Sequence, residues 1–207
     1  VDTVRTGTRR LEEKLRGLDV DALAISDYNK RYLREKLRSL RGSLQLNSHL
    51  LSWVLYQTGK PAAQTVLLDY GGGSGTLSLL ARAIGFGTVV YNDIYEVSGA
   101  DARTVGQAIG LEADAYVVGD TNDVVAAFKS RGLTCDAVVS YDVIEHVYDI
   151  EKFFREIAQL AQRRLTLVLG SGANDANPKI RRDLERQHLV VELKDREPVE
   201  GQKDRDT

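Results

Sequence analysis

The sequence predicts an α/β fold: a doubly wound, mostly parallel sheet with an N-terminal helical cap. Three observations predict it. Beyond Pro61 short apolar runs alternate with helical stretches, one glycine-rich turn joins the first run to the next helix, and the leucines before Pro61 follow helical spacing.

Over 26–59, Leu33, Leu37, Leu40 and Leu44 are spaced by four, three and four, and Leu50, Leu51, Val54 and Leu55 prolong the stripe. One helix is expected there, kinked or broken at Gly42 and stopped by Gly59 before Pro61. Trp53 and Tyr56 are expected in its core face. Strands are expected at 65–70, 89–92, 116–118, 137–140 and 165–169, with helices at 75–84, 99–109, 121–131 and 150–163 between them. A charged helix and a weaker strand at 189–193 follow. The division expected is a cap over 1–60 on the acceptor side and a ligand-binding sheet domain over 61–207. Right-handed crossovers place ligand loops at the carboxyl ends of the strands.

Composition narrows the function classes. A hydrophobic content of 43%, a charged content of 28% and a net charge of −2 are ordinary globular values and carry no signature of polyanion binding, so nucleic acid is not the expected partner. Charge is uneven: residues 1–60 hold 12 Lys/Arg against 7 Asp/Glu (+5), leaving 16 against 23 (−7) for the rest. A basic cap of this kind attracts an anionic acceptor, unless its charge is simply a solvated helix face. The single cysteine, Cys135, excludes an intramolecular disulfide and is expected to be a buried small side chain. No run of roughly 18 apolar residues spans a membrane and no leader is visible, so a cytoplasmic location is expected.

The most informative segment is VLLDYGGGSGTLSLLA, 66–81. An acid at the end of a strand precedes Gly71, Gly72, Gly73 and Gly75, which let a ligand approach the amides of a helix N-terminus. A dinucleotide fingerprint, G-x-G-x-x-G, fails at Thr76. The alternative D-x-G-x-G-x-G fits at Asp69, Gly71, Gly73 and Gly75. In VVYNDIYE, 89–96, Asp93 ends the second strand 24 residues after Asp69, where an acid accepts ribose hydroxyls from any of several nucleotides. VVGDTND, 117–123, places Asp120 and Thr121 after the third strand, as ligand contacts or as a helix N-cap. The stretch CDAVVSYDVIEHVYDIEKFFREI, 135–157, sets Tyr141 and Asp142 at the end of the fourth strand and Glu145 and His146 in the loop beyond.

With these four segments in order over roughly residues 62–170, the chain resembles the class I S-adenosylmethionine-dependent methyltransferases, in particular small-molecule enzymes similar to the ubiquinone-pathway O-methyltransferases. The resemblance implies a Rossmann-like fold and S-adenosylmethionine as cofactor, held by Asp69, Gly71, Gly72, Gly73, Gly75, Asp93, Ile94, Asp120, Thr121, Tyr141 and Asp142. Within that set it gives Asp93 the ribose hydroxyls, Asp120 the adenine amino group, and Tyr141 with Asp142 the methionine end. Glu145 would face the acceptor, and in SDYNKRY, 26–32, Tyr28, Asn29 and Arg31 are candidates for closing over the cofactor or gripping an anionic acceptor. Histidine as a residue type suits general-base work near neutrality, so His146 is a candidate base, or it orients Glu145 or caps the next helix. One Glu-His pair and two isolated histidines, His49 and His188, do not make a metal site, and none is expected. The family's sheet has seven strands, so five firm candidates and one weak one imply a shortened C-terminal end. Three other readings stay open: a nicotinamide-dependent oxidoreductase, a non-catalytic cofactor-binding module, and an RNA methyltransferase resting on the basic cap. Neither the acceptor nor the oligomeric state is legible.

Overall fold

The computed structural model describes residues 2–172, 176–179, 181 and 182. They fall into two units, 1–170 and 171–207. In the second, Asn177 Oδ1 accepts from the Lys179 amide at 3.0 Å. The strand expected at 189–193 lies outside the described residues.

The first unit opens with α1 (Asp2–Arg16), α2 (Asp27–Arg38) and α3 (Leu40–Thr58). It continues as β1 (Val66–Tyr70), α4 (Thr76–Ile84), β2 (Thr88–Asp93), α5 (Glu96–Ile109), β3 (Ala115–Val118), α6 (Thr121–Ser130), β4 (Ala137–Tyr141), α7 (Ile150–Ile157) and β5 (Thr166–Gly170). The five strands form one sheet in the order β3-β2-β1-β4-β5, and every pairing is parallel. A parallel sheet must be covered on both faces. Alternation along each strand does this: Leu67, Val89 and Val139 enter a core shared with α1 to α5, whereas Leu68, Val90 and Val138 enter a second core with α6 and α7.

Two sequence expectations are corrected. The stripe over 26–59 is two helices, and they part at Ser39, not at Gly42, which lies inside α3 with open space where a Cβ would stand. α2 is capped by Ser26 and fastened to α5, α3 packs on β4 and β5, and these two directions meet at Ser39. Trp53 and Tyr56 are 44% and 76% exposed, so they are not core side chains. Within the helical cap expected over 1–60, the sequence reading placed no particular helix before residue 26, where α1 lies. Its buried face is Val4, Gly7, Leu11 and Leu15, and Gly7 interrupts the apolar stripe because Ile84 of α4 packs where a Cβ would be.

Candidate functional site

Strand order reverses between β1 and β4, and a crevice opens beyond their carboxyl ends at such a switch point. The glycine turn leaves β1 into it. Gly71, Gly73 and Gly75 all have positive φ, at 70°, 52° and 75°. Gly72 is held by contact: its amide donates to Asn92 O at 2.8 Å, and a Cβ would lie 2.5 Å from Cε2 of Tyr91. Tyr91 is fully buried beneath the turn and donates its hydroxyl to Gly73 O at 2.6 Å. Apart from Gly73 and its two chain neighbours, no atom of the described residues lies within 4 Å of the place where a Gly73 Cβ would be, so that side of the turn is open to a ligand.

Asp69 sits below the turn, 2% exposed, and its Oδ2 accepts from the Ser78 amide at 3.0 Å and the Ser78 hydroxyl at 2.6 Å, fastening β1 to α4. Burial pushes its carboxyl up to about 6, against the opposing Ser78 hydrogen bonds and the more distant charge of Lys36. An acid whose folded pKa is raised favours the folded state below its unfolded pKa and loses that contribution as pH rises through the folded value. Between pH 4 and pH 6.5 the wild type should therefore lose ~2 kcal/mol relative to Asp69→Asn, which keeps the shape and one acceptor. Urea unfolding of both proteins across that range checks this, and parallel profiles would remove Asp69 as the cause.

At the end of β2, Asp93 is 7% exposed and has each oxygen oriented by one backbone amide: Oδ2 accepts from Gly73 at 2.9 Å and Oδ1 from Tyr95 at 2.9 Å. A carboxylate has about four lone-pair sites, so two remain for hydroxyl donors. Ile94 beside it is 65% exposed. The β3 loop is tied to β2 by Asn92, whose Nδ2 donates to Val117 O and Gly119 O at 3.2 and 3.0 Å.

Asp120 caps α6. Its Oδ1 accepts from the amides of Asn122 and Asp123 at 2.8 and 3.3 Å, and Asp123 returns the bond to the Asp120 amide at 3.0 Å. Its slight burial acts upward, but these amide bonds prevail and hold the carboxyl below its ordinary value. The capping role is thus realised, and among the described residues the outer oxygen accepts from Asn122 Nδ2 at 3.5 Å. Thr121 is buried and donates its hydroxyl to Glu156, so its side chain serves the α6–α7 contact and not the crevice.

Across the crevice, Asp142 follows β4 with φ 55°, the one non-glycine residue at positive φ among those described, and its amide donates to Gly170 O at 2.9 Å. This conformation turns the chain so that Val143 lies over Gly71. Tyr141, half-buried, ends β4, and a short 3-10 turn, Ile144–His146, comes next. Glu145 and His146 are exposed, and the His146 ring makes no hydrogen bond among the described residues. It does not cap α7, because Asp149 does so by accepting from the Lys152 amide at 2.8 Å. Tyr28 and Arg31 stand exposed on α2, the guanidinium carbon 5.8 Å from the Tyr28 ring centre.

The structure therefore brings Asp69, the four glycines, Asp93, Tyr141 and Asp142 around one crevice. Four residues near it escaped the sequence reading: Tyr91, Asn92, Tyr32 and Lys36. Alternation along β2 puts Tyr91 on the same face as Asp93, and helical spacing aligns Tyr32 and Lys36 with Tyr28, so both signals were present. Among the described residues no group of three His, Cys, Asp or Glu side chains converges as a metal site, and no helix is long and apolar enough to cross a membrane. Cys135 is buried, as expected, and burial pushes its thiol up to about 12.

Residues 68–169 match the family model described as a methyltransferase domain. No curated protein matches the sequence. Among solved structures, one protein from Methanococcus maripaludis assigned as an S-adenosylmethionine-dependent methyltransferase has a TM-score of 0.50 at 18% identity, over 69% of this chain and 64% of that one. Magnesium protoporphyrin IX methyltransferase from Synechocystis PCC 6803, with S-adenosylmethionine bound, has a TM-score of 0.48 at 22% identity, over 75% of this chain and 68% of that one. The first of these likenesses bears on the fold alone. The cofactor of the matched family fits the crevice found here, where a glycine turn leaves its backbone open and an oriented carboxylate keeps two acceptor sites. On the family match and that fit, residues 68–169 form a class I S-adenosylmethionine-dependent methyltransferase domain.

Proposed function

We propose that the protein transfers a methyl group from S-adenosylmethionine to a small anionic acceptor. The observation that carries this reading is the joint fixing of Gly73 and Asp93: one hydrogen bond sets both the open glycine backbone and the carboxylate that takes the ribose hydroxyls. In this reading Asp69, Gly71, Gly72, Gly73 and Gly75 shape the seat for the methionine end, Ile94 covers the adenine, and Asp120 offers its outer oxygen to the amino group. Thr121 contributes its backbone at the start of α6. Tyr141 and Asp142 border the sulfur, and residues 1–60 act as the cap over a sheet domain of 61–207.

The cofactor supplies an electrophilic methyl on a sulfonium, which departs as a neutral thioether. The protein's task is then alignment and exclusion of water. Tyr28 and Arg31 on α2 and Glu145 beyond β4 approach the acceptor from opposite sides. His146 takes the acceptor's proton, and its exposed ring, with both nitrogens uncommitted among the described residues, supports that role.

Calorimetry with S-adenosylmethionine and S-adenosylhomocysteine, with NAD as control, tests the cofactor. S-adenosylhomocysteine formation across a panel of small hydroxylated carboxylates tests the reaction. With the best acceptor at saturation, His146→Ala should lower kcat by about 10²-fold while leaving cofactor affinity unchanged. Full turnover would remove His146 as the base.

A further inference from the structure

α5 backs the glycine turn with two small residues. The Cβ of Ala102 lies 3.0 Å from where a Gly75 Cβ would stand, and a Cβ at Gly99 would meet Cε1 of Tyr91 at 3.8 Å. Three residues apart, Gly99 and Ala102 share one face of the helix. Asp101, between them in sequence, is 7% exposed and holds the N-terminal cap. Its Oδ2 accepts from the Ser26 hydroxyl, the Ser26 amide and Asn29 Nδ2, at 2.5, 3.1 and 2.7 Å. Ser26 Oγ accepts in turn from the Asn29 amide at 3.2 Å, so one hydroxyl both caps α2 and ties it to α5. A carboxylate at this depth is costly unless it is hydrogen-bonded, and here the donors all come from the start of a single helix.

Apolar burial fixes little of α2. Of its 12 residues Asn29 and Leu33 are buried, and Leu33 alone of these is apolar. Lys30 and Arg34 are tied at exposed positions to Asp21 of the preceding loop. An element with so little apolar burial has low local stability, and its polar contacts decide where it sits. The buried contact to Asp101 falls in the first turn of α2, with Tyr28 and Arg31 on either side of Asn29, and it ends one residue from the alanine that touches the glycine turn.

We propose that Asp101 is a positioning residue of the cofactor site. Through Ser26 and Asn29 it docks the first turn of α2 beside the glycine turn, and docking of α2 and seating of the nucleoside form one coupled equilibrium. A ligand that binds the docked form better than the undocked one stabilises it by mass action, and loss of the latch lowers the ligand's apparent affinity by the same linkage. The assignment rests on the methyltransferase reading and deepens it.

The test pairs calorimetry with S-adenosylhomocysteine and limited trypsin digestion, since α2 carries Lys30, Arg31, Arg34, Lys36 and Arg38. Asp101→Asn changes the latch from α5, and Asn29→Ala changes it from the cap should the first variant fail to fold. Each should weaken S-adenosylhomocysteine by about tenfold and speed cleavage within 30–38 by a similar factor in the free protein, with saturating ligand restoring resistance. The double variant Asn29→Asp, Asp101→Asn keeps a donor and an acceptor across the contact and should recover most of both losses. Single variants within twofold of the wild type in both readouts overturn the proposal, and so does a change in only one of them. Cleavage that rises equally throughout the chain, with no recovery in the double variant, also overturns it and marks Asp101 as a residue of the fold alone. A folded wild type that does not bind S-adenosylhomocysteine overturns the methyltransferase reading, and this assignment with it.

Discussion

Asp93→Ala should raise the dissociation constant for S-adenosylhomocysteine by about 100-fold, or ~2.7 kcal/mol. The residue is held with both oxygens oriented by backbone amides and two acceptor sites left for the ribose hydroxyls. Hydrogen bonds to a charged acceptor contribute roughly 1.5–3 kcal/mol each, so losing two accounts for the effect even after partial replacement by water. The Gly73 amide also loses the acceptor that fixes the turn, which adds to the loss. Asp93→Asn should fall between, because its amide group meets a donor on one side. Calorimetry of all three proteins measures this directly. A change below threefold in Asp93→Ala would mean that the ribose sits elsewhere and that the glycine turn serves another ligand.

A large loss of stability is expected from Gly72→Ala. Its new methyl would lie 2.5 Å from Cε2 and 2.7 Å from Cδ2 of Tyr91, and 3.0 Å from Asp69 Oδ2. Neither neighbour can give way readily, since Tyr91 is fully buried with its hydroxyl bound to Gly73 O, and Asp69 is held by Ser78. Overpacking of this kind costs about 1–3 kcal/mol and sometimes more. The upper end corresponds to a fall in Tm of ~9 °C for a chain of this size. In a Tyr91→Leu background the added cost should shrink, because the coupled pair is no longer in contact. Gly42→Ala is the contrast, with open space at its Cβ position inside α3, and should raise Tm slightly. A Gly72→Ala protein as stable as the wild type would show that the turn relaxes away from β2.

How far the site was legible depended on how local its chemistry is. The glycine turn and the strand-end acids Asp69 and Asp93 are short-range patterns: a run of β-formers, an acid, then residues that tolerate positive φ. The five strands read from apolar runs lie within a residue or two of those observed, because strands buried on both faces are continuous in Val, Leu and Ala. The helical cap was less legible. A broken apolar stripe concealed α1, and the bend at Ser39 has no local breaker residue, being the meeting point of two docked helices. Trp53 and Tyr56 carry no sequence mark to say that their face of α3 points outward.

By itself the sequence determined the α/β class, the alternation of strands and helices from β1 to β5, the glycine turn and the acids that end β1 and β2, since each follows from backbone preference and the period of burial. Only the tertiary structure decided how the elements meet. Tyr91 supports the turn because β2 lies beside β1, Thr121 turns inward because α7 presents Glu156, and Asp142 takes positive φ to carry Val143 over Gly71. It also latched α2 to α5, through Asn29 and Asp101, 72 residues apart along the chain. The physical reason is the same in each case. Backbone propensity acts over a few residues, whereas the burial of a polar group is settled by whatever the fold brings next to it.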